Sequence, residues 1–299
     1  MANQAEARAV GTMLLYDEPM AKHTSWRTGG PARYFFQPED LADLVDFLRS
    51  LPEGEPILWV GLGSNLLVRD GGFPGTVVSL KGRLDAIERL EGGRLRVGAG
   101  AACARVAREA ARAGLCGVAF LAGIPGTMGG ALAMNAGAFG GETWDRVVRV
   151  RTIDRGGTLR WRLPQEYETG YRRVRGPAGE WFVGCELQLE RGDSSLESAR
   201  IQSLLRQRGA RQPIGEASAG STFRNPPGDH AARLIEAAGL KGFAIGAAQV
   251  SPKHANFIIN RGGATAADIE AVIRHVRQVV AERFGVLLEP EVKIVGEPA

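Results

Sequence analysis

The chain of 299 residues is 44% hydrophobic and 23% charged, a balance suited to a globular protein of two or three domains. Its net charge of +4 comes from 37 basic against 33 acidic residues, and the basic ones, 32 arginines and five lysines, are scattered without a dense stripe or interleaved exposed aromatics. That pattern argues against a nucleic-acid partner and leaves room for a small polyanion such as a nucleotide diphosphate.

Apolar runs are broken by charges or glycines well before the roughly 20 residues that a membrane span needs. The opening run AVGTMLLY stops at Asp17 and Glu18 with no small-residue cleavage site, so no signal peptide is expected and a cytoplasmic location is. Cys103, Cys116 and Cys185 form no CxxC pair, and His23, His230, His254 and His275 lack ligand spacing. Structural thiols and no bound metal are the expectation.

In chain order, Leu41, Leu44, Val45, Leu48 and Leu51 recur at helical spacing behind Pro38, Glu39 and Asp40, which predicts a helix over 38–51. PILWV (56–60) and TVVSL (76–80) read as buried strands. RLRVGAG (94–100) runs from strand into turn, and ARVAREAARAG (104–114) is a helix closed by Gly114. RVVRVRTID, TLRWRL and WFVGCELQLE are further strands, followed by a break at Gly192 and a helix over 193–210. A domain boundary is placed near 192. Beyond it, helices are expected over 229–239, capped by Asp229, and over 265–285, capped by Thr265 with Asp268, each ended by glycine. The strand HANFIIN (254–260) lies between them. The pattern is mixed α+β.

Two segments concentrate glycine, GLGSN (61–65) and GIPGTMGGALAMNAGAFGG (123–141). Glycine lets backbone amides approach and turn toward an anion, so phosphate cradling is one reading and a set of tight turns is the other. Neither fits a Rossmann fingerprint. GLGSN is followed by extended and turn residues rather than a helix, and in GAGAACARVAREA the third glycine is replaced by Cys103. Five of the six asparagines, Asn65, Asn135, Asn225, Asn256 and Asn260, fall in glycine loops or polar turns, which suggests hydrogen-bonding roles, although asparagine favours turns in any case.

SWRTGGPA (25–32), GLGSNLLV (61–68), AGIPGTMGGALAMNAGAF (122–139), YR (171–172), SAGSTFRNP (218–226), QVSPKHANFIIN (249–260) and LEPEV (288–292) occur in the order found in the UDP-N-acetylenolpyruvoylglucosamine reductase (MurB) family. From about residue 20 to the end, the chain resembles that family. The resemblance implies an α+β fold: two FAD-binding subdomains of the p-cresol methylhydroxylase type, 1–85 and 86–192, and a substrate-binding domain, 193–299. A C-terminal strand over 287–295 would carry Glu291 back to the flavin site. It also implies NADPH-dependent reduction, through noncovalent FAD, of the enolpyruvyl ether of a UDP-sugar to its lactyl ether. The partners implied are the UDP-sugar and NADPH, with no nucleic acid, membrane or obligatory protein partner.

By the same resemblance, Ser221 protonates the carbon next to the carboxylate, a task a hydroxyl can perform when the developing carbanion lies within hydrogen-bond reach. Arg172 pairs with the carboxylate and stabilises the enediolate, and Glu291 shares a proton with that group or orients it. Arg27, Thr28, Gly29 and Gly30, with Gly61, Leu62, Gly63, Ser64, Asn65 and Leu66, would line one side of the flavin. Gly123, Ile124, Pro125, Gly126, Thr127, Gly129, Gly130, Asn135, Gly137 and Ala138 would line the other. Arg211, Arg224, Asn225 and His254 would hold the substrate.

The chain departs from the family at Arg224, where a lysine is usual, and at Val174, where a serine often follows the YR motif. Only seven residues separate Arg173 from WFV, so the chain resembles the short class that lacks a tyrosine-bearing insertion. Two other readings remain open on residues alone: an FAD-dependent sugar or alcohol oxidase sharing the flavin subdomains, and a nucleotide-binding regulatory module.

Overall fold

The computed structural model describes residues 12–299; the start of the AVGTMLLY run and Asn3 lie outside them. The described residues sort into two compact units. The first holds 12–16, Tyr34–Gly61 and Gly75–Gln207, and the second Asp17–Arg33, Leu62–Pro74 and Arg208–Ala299.

In the first unit, α1 (Leu41–Ser50) starts where the Asp40 carboxylate accepts the Asp43 N–H at 2.9 Å, and it buries Leu44, Phe47 and Leu48. An Asp at this position satisfies an amide that the helix itself leaves unpaired. The helix packs on the first-unit part of a four-stranded sheet, 13–16, 34–37, 75–79 and Ile57–Val60 in that order. The Phe36 and Phe47 rings stack in that core.

A five-stranded antiparallel sheet follows in the order Leu159–Arg162, Val147–Asp154, Glu180–Gln188, Arg94–Gly98, Ile87–Leu90. The two-residue period puts Val97, Val150, Cys185 and Leu187 into a second core. The intervening Arg96, Arg149 and Glu186 meet on the other face. Helices α2 (Cys103–Arg112) and α3 (Met128–Met134) cover this core, as does α4 (Ser194–Arg211) through Ile201 and Leu204. Helix α3 was not expected. Two glycines and two alanines in its seven residues hide the apolar period, and burial of Met128, Ala131 and Leu132 stabilises it instead.

The second unit holds a four-stranded antiparallel sheet, Ala217–Ser218, Ile258–Asn260, Ala248–Val250, Ala244–Ile245, against α5 (Ala231–Ala237) and α6 (Ala266–Phe284). Helix α6 carries the expected Thr265–Asp268 capping box and ends at Gly285 in the left-handed region. Helix α5 is begun differently from the expectation. Asp229 binds the His230 N–H and the Arg233 guanidinium, and the Ala231 N–H donates to Asn225 Oδ1 at 3.1 Å.

HANFIIN is a strand only over Ile258–Asn260. Its first half is a turn around Ser251, whose Oγ accepts the N–H groups of Lys253 and His254. The expected strand over 287–295 is confined to Lys293–Val295, which pairs in parallel with Leu66–Val68. Cys103 and Cys185 are buried and all three cysteines are free. No described helix is long and apolar enough to cross a membrane.

Candidate active site

In the second unit, the SAGSTFRNP segment leaves the sheet at Ser218, reverses at Gly220 (φ +70°) and presents a half-buried Ser221. The next residues pair with LEPEV. The Glu291 N–H donates to the Thr222 carbonyl at 2.8 Å, Phe223 bridges Pro290, and the Arg224 N–H donates to the Glu289 carbonyl at 2.9 Å. This antiparallel register sets Thr222, the residue after Ser221, across from Glu291. The Phe223 ring anchors the segment in the core of the unit.

Asn65 joins the same place from the first glycine loop: its Nδ2 donates to the Glu291 carbonyl at 3.1 Å, and its carbonyl accepts the Lys293 N–H at 3.0 Å. Gly63 sits beside it at φ +61°, and a Cβ there would lie 2.0 Å from the His23 carbonyl oxygen. Among the described residues, the N–H groups of Leu62, Gly63 and Ser64 are directed at no carbonyl. Such a turn of unspent amides is chemically fit to receive an anionic phosphate.

Of the SWRTGGPA residues, Arg27 is exposed with φ +55°. The Thr28 hydroxyl is committed to the Ala264 carbonyl at 2.8 Å. Gly29 and Gly30 pack against the backbone of Val68 and Asp70, and Leu66 opens the short parallel strand pair.

The four expected substrate-binding residues all lie in the second unit. Arg224 is half-buried, with its guanidinium 3.9 Å from Glu289. Asn225 is exposed, and its Oδ1 caps α5. His254 packs edge-on to Phe257 and accepts the Asn256 N–H on Nδ1 at 3.3 Å. Burial holds its imidazole below the usual range. Arg211 is exposed at the end of α4.

In the first unit, Arg172 occupies the two-residue connection of the hairpin Glu168–Gly170/Arg173–Arg175, at φ +53°. Its Nη2 donates to the Gly137 carbonyl at 2.9 Å and its guanidinium lies 5.1 Å over the Tyr171 ring. Asn135 secures the arrangement: Nδ2 donates to Glu142 Oε2 at 2.7 Å and to the Gly170 carbonyl at 3.3 Å, and Oδ1 accepts the Trp144 N–H at 3.1 Å. The Asn135 carboxamide therefore holds the hairpin and the glycine loop together, and Glu142 is an anchor that no sequence signal marked.

The segment Gly123–Thr127 is pinned where Gly126 N–H donates to Ile124 O, and the following Met128 and Gly129 amides donate to Ala101 and Ala99. Gly61 leaves the strand Ile57–Val60 against the Thr127 hydroxyl, Gly130 lies on α3, and Gly137–Ala138 pair with Gly141–Glu142. Six non-glycine described residues take positive φ, and four of them, Arg27, Asn135, Phe139 and Arg172, lie in or beside these segments. Such backbone costs of order 1–3 kcal/mol per residue and persists where the surroundings over-determine it, a pattern concentrated at functional sites.

The sequence-predicted catalytic residues are thus distributed, with Ser221 and Glu291 in the second unit and Arg172 in the first. Among the described residues, no group of three or more His, Cys, Asp or Glu could hold a metal ion.

Residues 32–162 match the FAD binding domain family, and residues 212–295 match the C-terminal domain family of UDP-N-acetylenolpyruvoylglucosamine reductase. The second match contains Ser221, Arg224, Asn225, His254 and Glu291, and it decides between the reductase and oxidase readings. The chain belongs to the UDP-N-acetylenolpyruvoylglucosamine reductase family. It is 64% identical over 293 residues to the reductase of Alkalilimnicola ehrlichii, covering 98% of each chain. To that of Methylococcus capsulatus it is 60% identical over 296 residues, covering 99% of this chain and 97% of the relative. The crystal structure of the Thermus caldophilus reductase is similar with a TM-score of 0.81 and 34% identity, over 95% of this chain and 98% of the other. Membership makes this chain an FAD-dependent oxidoreductase of α+β fold.

Proposed function

We propose that Ser221 donates the proton, Arg172 neutralises the substrate carboxylate and Glu291 orients the reacting group in the reduction that defines the family. The enzyme reduces UDP-N-acetylglucosamine enolpyruvate to UDP-N-acetylmuramate with NADPH, in the synthesis of peptidoglycan precursors. Bound FAD supplies the two-electron relay between NADPH and the enolpyruvyl double bond.

The residues of this chain handle the proton and the charge. As the methylene carbon becomes a methyl group, negative charge grows on the carbon beside the carboxylate and spreads onto the carboxylate oxygens. Arg172 offers a planar, permanently charged fork suited to those two oxygens. Ser221 O–H gives its proton to the carbon, so each carbon of the double bond gains one hydrogen, and the serine oxygen regains a proton from solvent. Glu291 accepts a hydrogen bond that fixes the direction of that transfer. The observation that supports this reading is the Glu291 N–H to Thr222 carbonyl bond of 2.8 Å, which draws the backbone of the LEPEV motif against the residue that follows Ser221.

For the cofactor, the amides of 62–64 and the pinned loop 123–127 are the proposed phosphate and ring contacts, with Arg27–Gly30, Gly129, Gly130, Gly137 and Ala138 around them. We assign 1–85 and 86–192 to the flavin and 193–299 to the substrate, with noncovalent FAD and a cytoplasmic location. No nucleic-acid or obligatory protein partner enters the reading. The direct experiment is anaerobic mixing of the yellow protein with NADPH and then with the enolpyruvyl UDP-sugar. Bleaching followed by recovery of colour supports the reading; indifference to NADPH together with fast reoxidation by oxygen contradicts it.

A further inference from the structure

Asn256 has no part in the proton transfer just described, yet its carboxamide is wholly committed to one residue. Its Oδ1 accepts the Phe223 N–H at 2.9 Å and its Nδ2 donates to the Phe223 carbonyl at 2.8 Å. The Asn256 carbonyl also accepts the Thr222 N–H at 2.8 Å. A carboxamide offers a donor and an acceptor side by side at every pH, so the side chain acts as a short piece of neighbouring strand. It does so at 4% exposure, where a lost partner leaves a peptide group unsatisfied.

The stretch is held from the opposite edge as well. The Thr222 carbonyl accepts the Glu291 N–H, and the Arg224 N–H donates to the Glu289 carbonyl. Residues 222–224 are therefore gripped between the Asn256 clamp on one side and 289–291 on the other. Ser221 is the residue immediately before this grip, and Gly220, immediately before it, is a backbone reversal. The Ser221 backbone is therefore bounded by the clamped stretch on one side and by the turn on the other.

We propose that Asn256 is a positioning residue for Ser221, fixing through its paired bonds to Phe223 the backbone from which the Ser221 hydroxyl is presented. The inference rests on Ser221 being the proton donor. A displacement of about 1 Å in a reacting group can cost on the order of 100-fold in rate, so loosening this clamp slows protonation although Asn256 touches no substrate.

The test compares Asn256→Ala, the near-isosteric Asn256→Asp and Ser221→Ala, alone and combined, each as the FAD-loaded protein. Stopped flow reads flavin reduction by NADPH and its reoxidation by the enolpyruvyl UDP-sugar separately. The expected result is a roughly 10- to 100-fold loss in reoxidation for both Asn256 variants, with reduction changed less than about twofold.

The double variant Ser221→Ala/Asn256→Ala should be no slower than Ser221→Ala alone, because groups acting as one unit are not additive. In Asn256→Asp the donor to the Phe223 carbonyl returns when the carboxyl is protonated, so its reoxidation rate recovers as pH falls. Independently of turnover, amide hydrogen exchange in the peptide 218–226 rises in Asn256→Ala. Equal loss in both half-reactions, unchanged reoxidation, or multiplied losses in the double variant overturn the positioning role. If Ser221→Ala itself reoxidises normally, the proton-donor reading falls instead, and the exchange result then reports on the clamp alone. If Asn256→Ala does not fold, the aspartate variant carries the comparison.

Discussion

Arg172 Nη2 donates to the Gly137 carbonyl at 2.9 Å, so the cation of the hairpin turn is held by the backbone of the long glycine segment. A Cβ at Gly137 would stand 2.6 Å from the Gly141 carbonyl oxygen and 3.4 Å from Arg172 Nη1. The first contact is with backbone and forces the loop to move. Gly137→Ala is therefore expected to slow reoxidation of reduced flavin by the enolpyruvyl substrate about 10- to 100-fold. Steady-state and half-reaction kinetics check this; wild-type rates would show that Arg172 keeps its place without that carbonyl.

The first glycine loop gives a prediction on cofactor binding. Gly63→Ala places a methyl group 2.0 Å from the His23 carbonyl at a left-handed φ, a strain of order 1–3 kcal/mol. The purified variant should hold markedly less FAD per chain than wild type, read as the flavin-to-protein absorbance ratio. A full complement of flavin would show that this loop is not part of the cradle.

Glu186 provides a pH test of stability away from the site. Its fully buried carboxylate accepts from Arg149 Nη2 at 2.8 Å and Arg96 Nη2 at 3.0 Å. The Arg149 hydrogen bond, aided by Arg96 and opposed by burial, holds it below the ordinary value of 4.5. Because the folded value is depressed, the stabilisation is present above about 4.5 and is lost as pH falls through the folded value. Glu186→Gln should cost about 1.5–3 kcal/mol near neutral pH, the range for hydrogen bonds to charged groups. In denaturant melts the gap between variant and wild type should close as pH drops below that window.

Much of this architecture was legible because local chemistry and packing agree. The alternation in 146–154 and 181–190 places Val150 and Cys185 inward and Arg149 and Glu186 outward. Thr265 and Asp268 start α6 as their spacing dictates. Helix α3 escaped because its stability comes from burial against a sheet rather than from propensity, and half of HANFIIN became a turn because Ser251 Oγ draws backbone amides to itself. The asparagines did mark hydrogen-bonding posts: Asn65, Asn135, Asn225, Asn256 and Asn260 each bond backbone through the side chain.

The candidate site was visible only through resemblance. Nothing local in LEPEV says that Glu291 will lie opposite Thr222, since that pairing is set by a register between strands far apart in sequence. The clamp from Asn256 is hidden for the same reason.

The most direct measurement is the pair of half-reactions in Ser221→Ala. The proton-donor role predicts flavin reduction by NADPH at close to the wild-type rate and reoxidation by the enolpyruvyl UDP-sugar slowed about 10²- to 10⁴-fold, the usual contribution of a positioned general acid. Equal loss in both half-reactions, or normal reoxidation, would contradict it.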